Sequence, residues 1–254
     1  MQRFIKPILL ALLSWQLPVA WAQTEANFPN FTWVTPNIEH ESSRFGFEPA
    51  SFTLVNQDCR KVAKDHPCYE DLEWTENILL GTYQNASMPK PVHIIYSPGP
   101  SADPLFSIID QSNQRIWSEG AEQMAINSSG VIYLSGNANK MFNQRMKFQL
   151  SNYQVKEIPQ PYYYVDVRGS LLKPVKLYSQ PNNQGQLIAT LSVGYDIEIL
   201  LAATTPQATR DDEFSLSKDY LAKTAFGLVG WLRLTDDDTF HMNPIVPGLG
   251  FMGD

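Results

Sequence analysis

The residues that could bind a metal ion are few and scattered along the chain. There are four histidines and two cysteines, whereas a zinc site needs three or four such ligands that converge. His40 and Glu41 begin like the zinc-protease motif H-E-x-x-H, but Arg44 stands where the second histidine belongs. The acidic run 236–238 could attract calcium, yet it lacks the glycine turn and the distal glutamate of an EF-hand loop. The sequence therefore predicts no metal site and no cofactor.

The two cysteines, Cys59 and Cys68, allow two kinds of chemistry. They lie nine positions apart, and in an oxidising compartment such a pair is most simply a disulfide that closes a local loop. That loop would stabilise the fold by about 2–3 kcal/mol, because it restricts the unfolded chain. The alternative is a free thiolate nucleophile activated by a histidine, and His66 lies between the two cysteines. The spacing favours the disulfide.

Motifs of other common catalytic mechanisms do not occur in the sequence. It contains no G-x-S-x-G elbow for a serine nucleophile and no glycine-rich phosphate loop. A carboxylate pair for glycoside cleavage stays open, because acidic residues are plentiful and their separation is invisible in a sequence. We therefore expect a protein that is not an enzyme, with a cell-wall hydrolase as the least favoured alternative.

The first 22 residues have the pattern of a secretory signal peptide. Arg3 and Lys6 give a positive start, an apolar run covers residues 7–17, and an Ala-Trp-Ala cleavage motif ends at Ala22. The mature chain would begin at Gln23. No segment has the roughly 20 uninterrupted apolar residues that a transmembrane helix needs. These features predict a periplasmic or secreted protein without membrane insertion.

The charge of the chain excludes one class of partner and favours another. The formal net charge is −7, and removal of the predicted signal peptide takes away two bases and no acid, which makes it −9. Proteins that bind nucleic acid need a cationic surface to release counterions from phosphates, so we expect no nucleic-acid partner. A partner attracted by charge would be basic.

The pattern of apolar residues predicts a mostly β fold. Aromatic residues, which favour strands, make up 12% of the chain. Short apolar or alternating runs are separated by turn residues, at 92–96, 105–109, 131–134 and 146–150. We expect residues 23–159 to form an antiparallel sandwich or barrel. One short helix is predicted between Tyr69 and Tyr83, where Leu72, Ile78 and Leu79 could share a face.

Two prolines, Pro159 and Pro161, mark the predicted domain boundary, because proline disfavours helix before it and cannot donate within a sheet. A second all-β unit is expected at 160–235. The last residues, 236–254, carry four aspartates and no base, and they predict an irregular acidic tail.

The second unit contains an ordered set of strand and turn segments. A strand over 175–180 ends at Pro181, and a strand over 187–193 ends at Gly194. An alternating strand over 195–200 follows, and a later hairpin closes on Gly230 and Trp231. In this order the segments of residues 174–234 resemble the bacterial SH3 (SH3b) family. The resemblance implies a small SH3-like β-barrel that binds a protein or a cell-wall peptide in a groove.

Two features depart from the minimal pattern of that family. Residues 202–219 form an insertion where the family has a tight turn, and Tyr162–Val165 adds an aromatic strand. Within that strand, alternation places Tyr163 on the face opposite Tyr162 and Tyr164.

The candidate binding residues are aromatic, with one arginine. The contact residues predicted for the barrel are Tyr178, Tyr195, Tyr220 and Trp231. Arg145, near Phe142, could be an interface anchor, because arginine and aromatic residues are enriched at binding hot spots. The alternative is an ordinary amphipathic strand, with Met146, Phe148 and Leu150 inward and Lys147 outward.

These observations favour a non-enzymatic binding or scaffold protein that contacts a protein or a peptidoglycan peptide through its SH3b-like unit. The alternative is an inhibitor or immunity-type protein that neutralises a basic exported enzyme or toxin. The acidic tail and the acids Asp211, Asp212 and Glu213 motivate that alternative.

Overall fold

The computed structural model describes residues 25–66, 68, 76–99, 103–203 and 217–252. Within these ranges the chain forms seventeen strands: β1 (Thr32–Val34), β2 (Arg44–Phe47), β3 (Phe52–Asp58), β4 (Ile78–Tyr83), β5 (Val92–Ser97), β6 (Leu105–Ile109), β7 (Arg115–Gly120), β8 (Gln123–Ile126), β9 (Val131–Gly136), β10 (Gln144–Ser151), β11 (Gln154–Glu157), β12 (Tyr162–Ser170), β13 (Val175–Gln180), β14 (Gln184–Leu191), β15 (Asp196–Ala203), β16 (Asp219–Thr224) and β17 (Val229–Arg233). One four-residue helix, α1 (Asp236–Thr239), and two short 3-10 helices (Pro49–Ser51 and Cys59–Lys61) accompany them. The predicted mostly β fold is confirmed. The predicted signal peptide, and the acids at 211–213 of the insertion, lie outside the described residues.

The strands form three sheets. Sheet I has the order β1-β2-β8-β9-β10-β11, sheet II is the meander β3-β4-β5-β6-β7, and sheet III has the order β12-β15-β16-β17-β13-β14. All pairings between these strands are antiparallel except that of β2 with β8, which is parallel. The four runs predicted as strands all lie in strands, namely β5, β6, β9 and β10.

Sheets I and II face each other as a sandwich filled with aromatic rings. Phe47 of sheet I and Phe52 of sheet II have ring centroids 4.6 Å apart, and those of Phe45 and Phe52 lie 5.0 Å apart. At the other end, Trp117 of sheet II meets Phe148 of sheet I edge-on at 5.3 Å. Such tilted and edge-on pairs add to the burial of the rings. Of the predicted sandwich or barrel, the described residues form a sandwich.

Sheet III is open, whereas the sequence predicted a small barrel. Its edge strands β12 and β14 each pair with only one neighbour among the described strands. Inside the sheet, β13 pairs with β17 through Tyr178 and Trp231. Because β12 and β14 do not pair with each other, the described strands do not close into a barrel.

One hydrophobic core joins all three sheets. The same cluster of buried side chains contains Phe45 of sheet I, Ile94 of sheet II and Leu177 of sheet III. Phe142, in the loop before β10, meets Tyr220 of β16 edge-on at 6.3 Å. The side chains of the two halves of the chain thus pack into a single apolar interior.

The helix predicted between Tyr69 and Tyr83 is wrong where it can be compared. Ile78–Tyr83 is strand β4, and residues 69–75 lie outside the described residues. The strand is apolar on both faces, because Leu80 lies in the main core while Leu79 lies in a second, smaller cluster. Such a strand lacks the alternation that distinguishes it from a helix. Gly81 fits the close packing here, since a Cβ on it would lie 2.2 Å from the Thr53 carbonyl oxygen.

The C-terminal segment, predicted as an irregular acidic tail, packs against the rest of the fold in its described part, 236–252. Ile245, Val246 and Leu249 are buried in the main core. Asp236 pairs with Lys218, and Asp238 bonds to Lys173 at 2.6 Å. Because two of the four acids are neutralised within the fold, the segment offers little charge to a partner.

The predicted disulfide between Cys59 and Cys68 is present, with a Cα–Cα distance of 5.4 Å. The loop that it closes covers the outer face of sheet II, where both cysteines pack on Leu79, Ile95 and Ile109. Both sulfurs are bonded, so neither serves as the free thiolate considered from the sequence.

His66, in the disulfide loop, packs against His93 of β5, with ring centroids 4.6 Å apart. Burial lowers the pKa of His66, against the opposing pull of Asp65. Burial also lowers the pKa of His93, and the neighbouring His66 lowers it further. Besides these groups, Thr82 lies 3.5 Å from His93 Nδ1, and the Cys68 backbone N–H donates to His66 Nδ1. The surroundings of the two rings therefore favour the neutral form of both histidines.

This histidine pair predicts that the protein loses stability in mild acid. In the unfolded chain both histidines bind protons at the ordinary histidine pKa of 6.5. In the folded chain they bind protons only at lower pH, because the pKa of each ring is lowered. The stabilising contribution is thus complete above the unfolded-state pKa and is lost as the pH falls towards the lowered folded-state values. We expect the urea-unfolding free energy to drop between about pH 7.5 and about pH 5.5, and to drop less in H93Q.

The control is H40Q, because His40 has an 89% exposed side chain and lies outside the pair. Its pH profile is expected to follow the parent protein. An H93Q profile identical to that of the parent would contradict the role given to the pair.

Candidate functional site

The five predicted binding residues do not form one cluster. Tyr220 is fully buried and faces the core, because alternation along β16 turns Tyr220 and Ala222 inward and Leu221 outward. The prediction that Tyr220 contacts a ligand is therefore wrong. Tyr195 is half-buried at the start of β15 and packs against the core. It lies six residues from Leu201 along the strand, roughly 20 Å away.

Tyr178 and Trp231 do come together, in a row of apolar side chains that crosses the outer face of sheet III. Successive pairings link Tyr164 to Leu201, Leu201 to Leu221, Leu221 to Trp231, Trp231 to Tyr178, and Tyr178 to Leu187. We call these six residues the aromatic row. Its ends, Tyr164 and Leu187, are 48% and 53% exposed. An apolar row that crosses a whole sheet on its solvent side is typical of a surface that binds something.

Further side chains extend the aromatic row. Tyr162, two residues before Tyr164, points to the same side, and its ring centroid lies 5.9 Å from that of Trp231. Tyr163 between them is buried, so the predicted alternation of the three tyrosines is confirmed. The alternation of β12 had already indicated an outward tyrosine ring available for binding, whereas nothing in the sequence singled out Leu187 as part of a site.

Charged residues flank the aromatic row on both sides and are neutralised within the protein. On one side Glu198 accepts from Arg168 at 2.7 Å and from Lys223 at 3.2 Å. The hydrogen bond from Lys223 is the main cause that lowers the pKa of the Glu198 carboxyl. On the other side Arg233 pairs with Asp219. Because these charges already have partners within the protein, they are less available to a ligand than the apolar row between them.

Arg145 stands where the outer faces of sheets I and III meet. Its guanidinium carbon lies 5.6 Å from the ring centroid of Tyr164, a distance at which a cation is attracted by an aromatic ring. No carboxylate of the described residues is within ion-pair distance of it. Phe142, which the sequence suggested as its neighbour, is instead buried in the core. The strand around Arg145 has the predicted amphipathic orientation, with Met146, Phe148 and Leu150 buried.

A cleft of about 390 Å³ lies beside Arg145 on the outer face of sheet I. The N-terminal segment with Phe28 and Trp33 forms one wall, and residues 158–160 form the other. Its floor is formed by neighbouring strands, which contribute the side chains of Gln123, Tyr133 and Lys147. We call it the sheet I cleft. Sequence reasoning missed it, because its walls come from segments more than one hundred residues apart in the chain.

The described residues contain no group of three or more histidine, cysteine or acidic side chains placed to hold a metal ion. They also contain no helix long and apolar enough to cross a membrane. What the surface does offer is rings, aliphatic side chains and the cations Arg145 and Lys147, which are suited to holding a partner by contact.

Tyr220 provides a test of the assignment of faces. No described residue lies within hydrogen-bond distance of its buried hydroxyl, and a buried polar group without a partner costs about 1–3 kcal/mol. We expect Y220F to raise the free energy of unfolding by about 1 kcal/mol, measured by urea titration. Y178F, whose ring lies on the outer face, is the control and should change little. A clear destabilisation of Y220F would show that the hydroxyl makes a bond in the folded protein.

Comparisons of the chain with protein-family models, with curated proteins and with solved structures found no match.

Proposed function

We propose that this protein is a secreted or periplasmic binding protein, without catalytic activity of its own, that holds a partner protein on its aromatic row. The observation that carries the proposal is the unbroken apolar row from Tyr164 to Leu187 on the solvent side of sheet III. An apolar centre with a polar rim is the usual anatomy of a protein interface, and here Glu198 and Arg233 with their partners form the rim.

The length of the aromatic row favours a protein over a short wall peptide. It crosses six strands, which at the usual strand spacing is roughly 24 Å. A surface of that length suits a protein interface of standard size. Leu221 and Trp231 occupy its two central positions, and hot spots concentrate at the centre of an interface.

The charge of Arg145 indicates which group the partner carries beside its apolar patch. Arg145 ends the row next to Tyr164 and has no carboxylate partner among the described residues. An acidic residue on the partner would neutralise it, and such an ion pair fixes register and orientation more than affinity. The partner is therefore expected to bring an apolar patch with an acid at its edge.

The alternative of an acidic inhibitor receives less support. Part of the charge that motivated it lies in the C-terminal segment, where Asp236 and Asp238 pair with Lys218 and Lys173. Charges that are already paired contribute little to long-range attraction of a basic partner.

The proposal is tested by photo-crosslinking in the cells that export the protein. A photoreactive phenylalanine replaces Leu187 in the aromatic row, or Lys156 on exposed strand β11 as the control. We expect one defined protein adduct from position 187 and none from position 156. Adducts at both positions, or an adduct of peptidoglycan fragments in place of a protein, would contradict the proposal.

The identified partner then allows a quantitative test. We expect W231A to weaken its binding at least about 30-fold, as for a hot-spot tryptophan, in calorimetric titration of the purified proteins. F226A is the matched control, because Phe226 is 84% exposed on the turn between β16 and β17 and lies outside the row. Equal losses for both variants would show that the row is not the contact surface.

A further inference from the structure

We infer that the sheet I cleft binds the free C-terminus of a short apolar peptide, at a site that adjoins the aromatic row at Arg145. The inference stands on the walls, the charge and the unsatisfied polar atoms of the cleft, and it does not depend on the proposed partner of sheet III.

The walls of the cleft suit an apolar side chain. The Phe28 ring lies 5.9 Å from the Trp33 ring and 5.2 Å from the Tyr133 ring, in edge-on arrangements. Trp33 lies directly over Gly46 of β2, since a Cβ on Gly46 would be 2.9 Å from three atoms of the indole. Because Gly46 has no side chain, the indole can lie close to the backbone of β2. The cleft stays open on the other side of the indole.

The charge of the cleft is opposite to that of the whole protein. The formal net charge of the chain is −7, yet no acidic residue lines the cleft, while Lys147 and Arg145 do. Lys147 Nζ lies 5.8 Å from the Tyr133 ring centroid, and no described carboxylate is within ion-pair distance of it. Two neighbouring cations without counter-charges, beside an apolar wall, are a site for a carboxylate.

Two polar atoms in the cleft restrict the chemistry of the ligand further. The Trp33 indole N–H and the Gln123 side-chain oxygen are both buried, and neither makes a hydrogen bond with a described residue. A buried polar group normally has a partner, so the ligand should supply an acceptor and a donor. An amide group supplies both, whereas a fatty acid has no donor for Gln123. This favours a peptide over a lipid.

The spacing of the polar groups sets the length of the peptide. Gln123, Ser135 and Arg145 form one cross-strand row, so Gln123 and Arg145 are two strand spacings, roughly 10 Å, apart. Three residues of extended peptide cover that distance. A tripeptide can therefore place its terminal carboxylate at the cations while its backbone reaches Gln123 and Trp33.

The probe that tests this is acetyl-Ala-Leu-Leu with a free C-terminal carboxylate, titrated by calorimetry into the full mature protein. Its C-terminal amide and decanoate are the comparison ligands. We expect the acid to bind with a Kd below about 1 mM, and both comparison ligands to bind at least about tenfold more weakly.

The variants separate the cleft from the aromatic row. K147Q should weaken binding of the peptide acid about tenfold, and the matched control K156Q, an exposed lysine outside the cleft, should not. W33F should also weaken binding, because it removes the indole N–H that is available to the ligand. W231A should leave binding of the peptide unchanged, and binding of the row's own partner should be unchanged in K147Q.

Four results would overturn the inference. They are equal affinity for the peptide acid and its amide, tighter binding of decanoate than of the peptide, no effect of K147Q, and no binding of the acid at millimolar concentration. Loss of peptide binding in W231A would instead place the peptide on sheet III.

Discussion

A single hydrophobic core, shared by all three sheets, is the constraint on which the rest of the structure depends. Each sheet turns one face inward, and the contact of Phe142 with Tyr220 continues the core from the first sandwich into sheet III. The C-terminal segment adds Val246 and Leu249 to the same interior. Burial of apolar area is the main favourable term in folding, so the inward faces are committed to packing. Whatever the protein binds must be held by the outward faces.

The three outward faces differ because different segments cover them. The disulfide loop covers the outer face of sheet II, where Cys59 and Cys68 pack. The N-terminal segment forms one wall of the cleft on sheet I, with Trp33. Sheet III keeps its aromatic row open to solvent. The cleft and the row meet at Arg145, which lies over Tyr164. Because the core fixes sheets I and III relative to each other, this junction presents both surfaces on one rigid body.

The sequence predicted what depends on local alternation. The outward position of Lys147 and the position of Tyr163 opposite Tyr162 and Tyr164 follow from period two within one strand, and the cysteine pair follows from spacing and compartment. The inward position of Tyr220 could not be predicted, because its neighbour Leu221 is equally apolar and either face could be the buried one. The sheet I cleft escaped prediction for another reason, since Trp33 and its opposite wall meet only through the register of six strands.

The shared core is tested most directly by native-state hydrogen exchange of the purified protein in low concentrations of urea, with peptides from β9 and β16 followed by mass spectrometry. If the core is shared, the slowest amides of both strands open in the same global event and show the same dependence on urea. A separate opening of β16, at a lower free energy than that of β9, would contradict the single core and with it the rigid junction at Arg145.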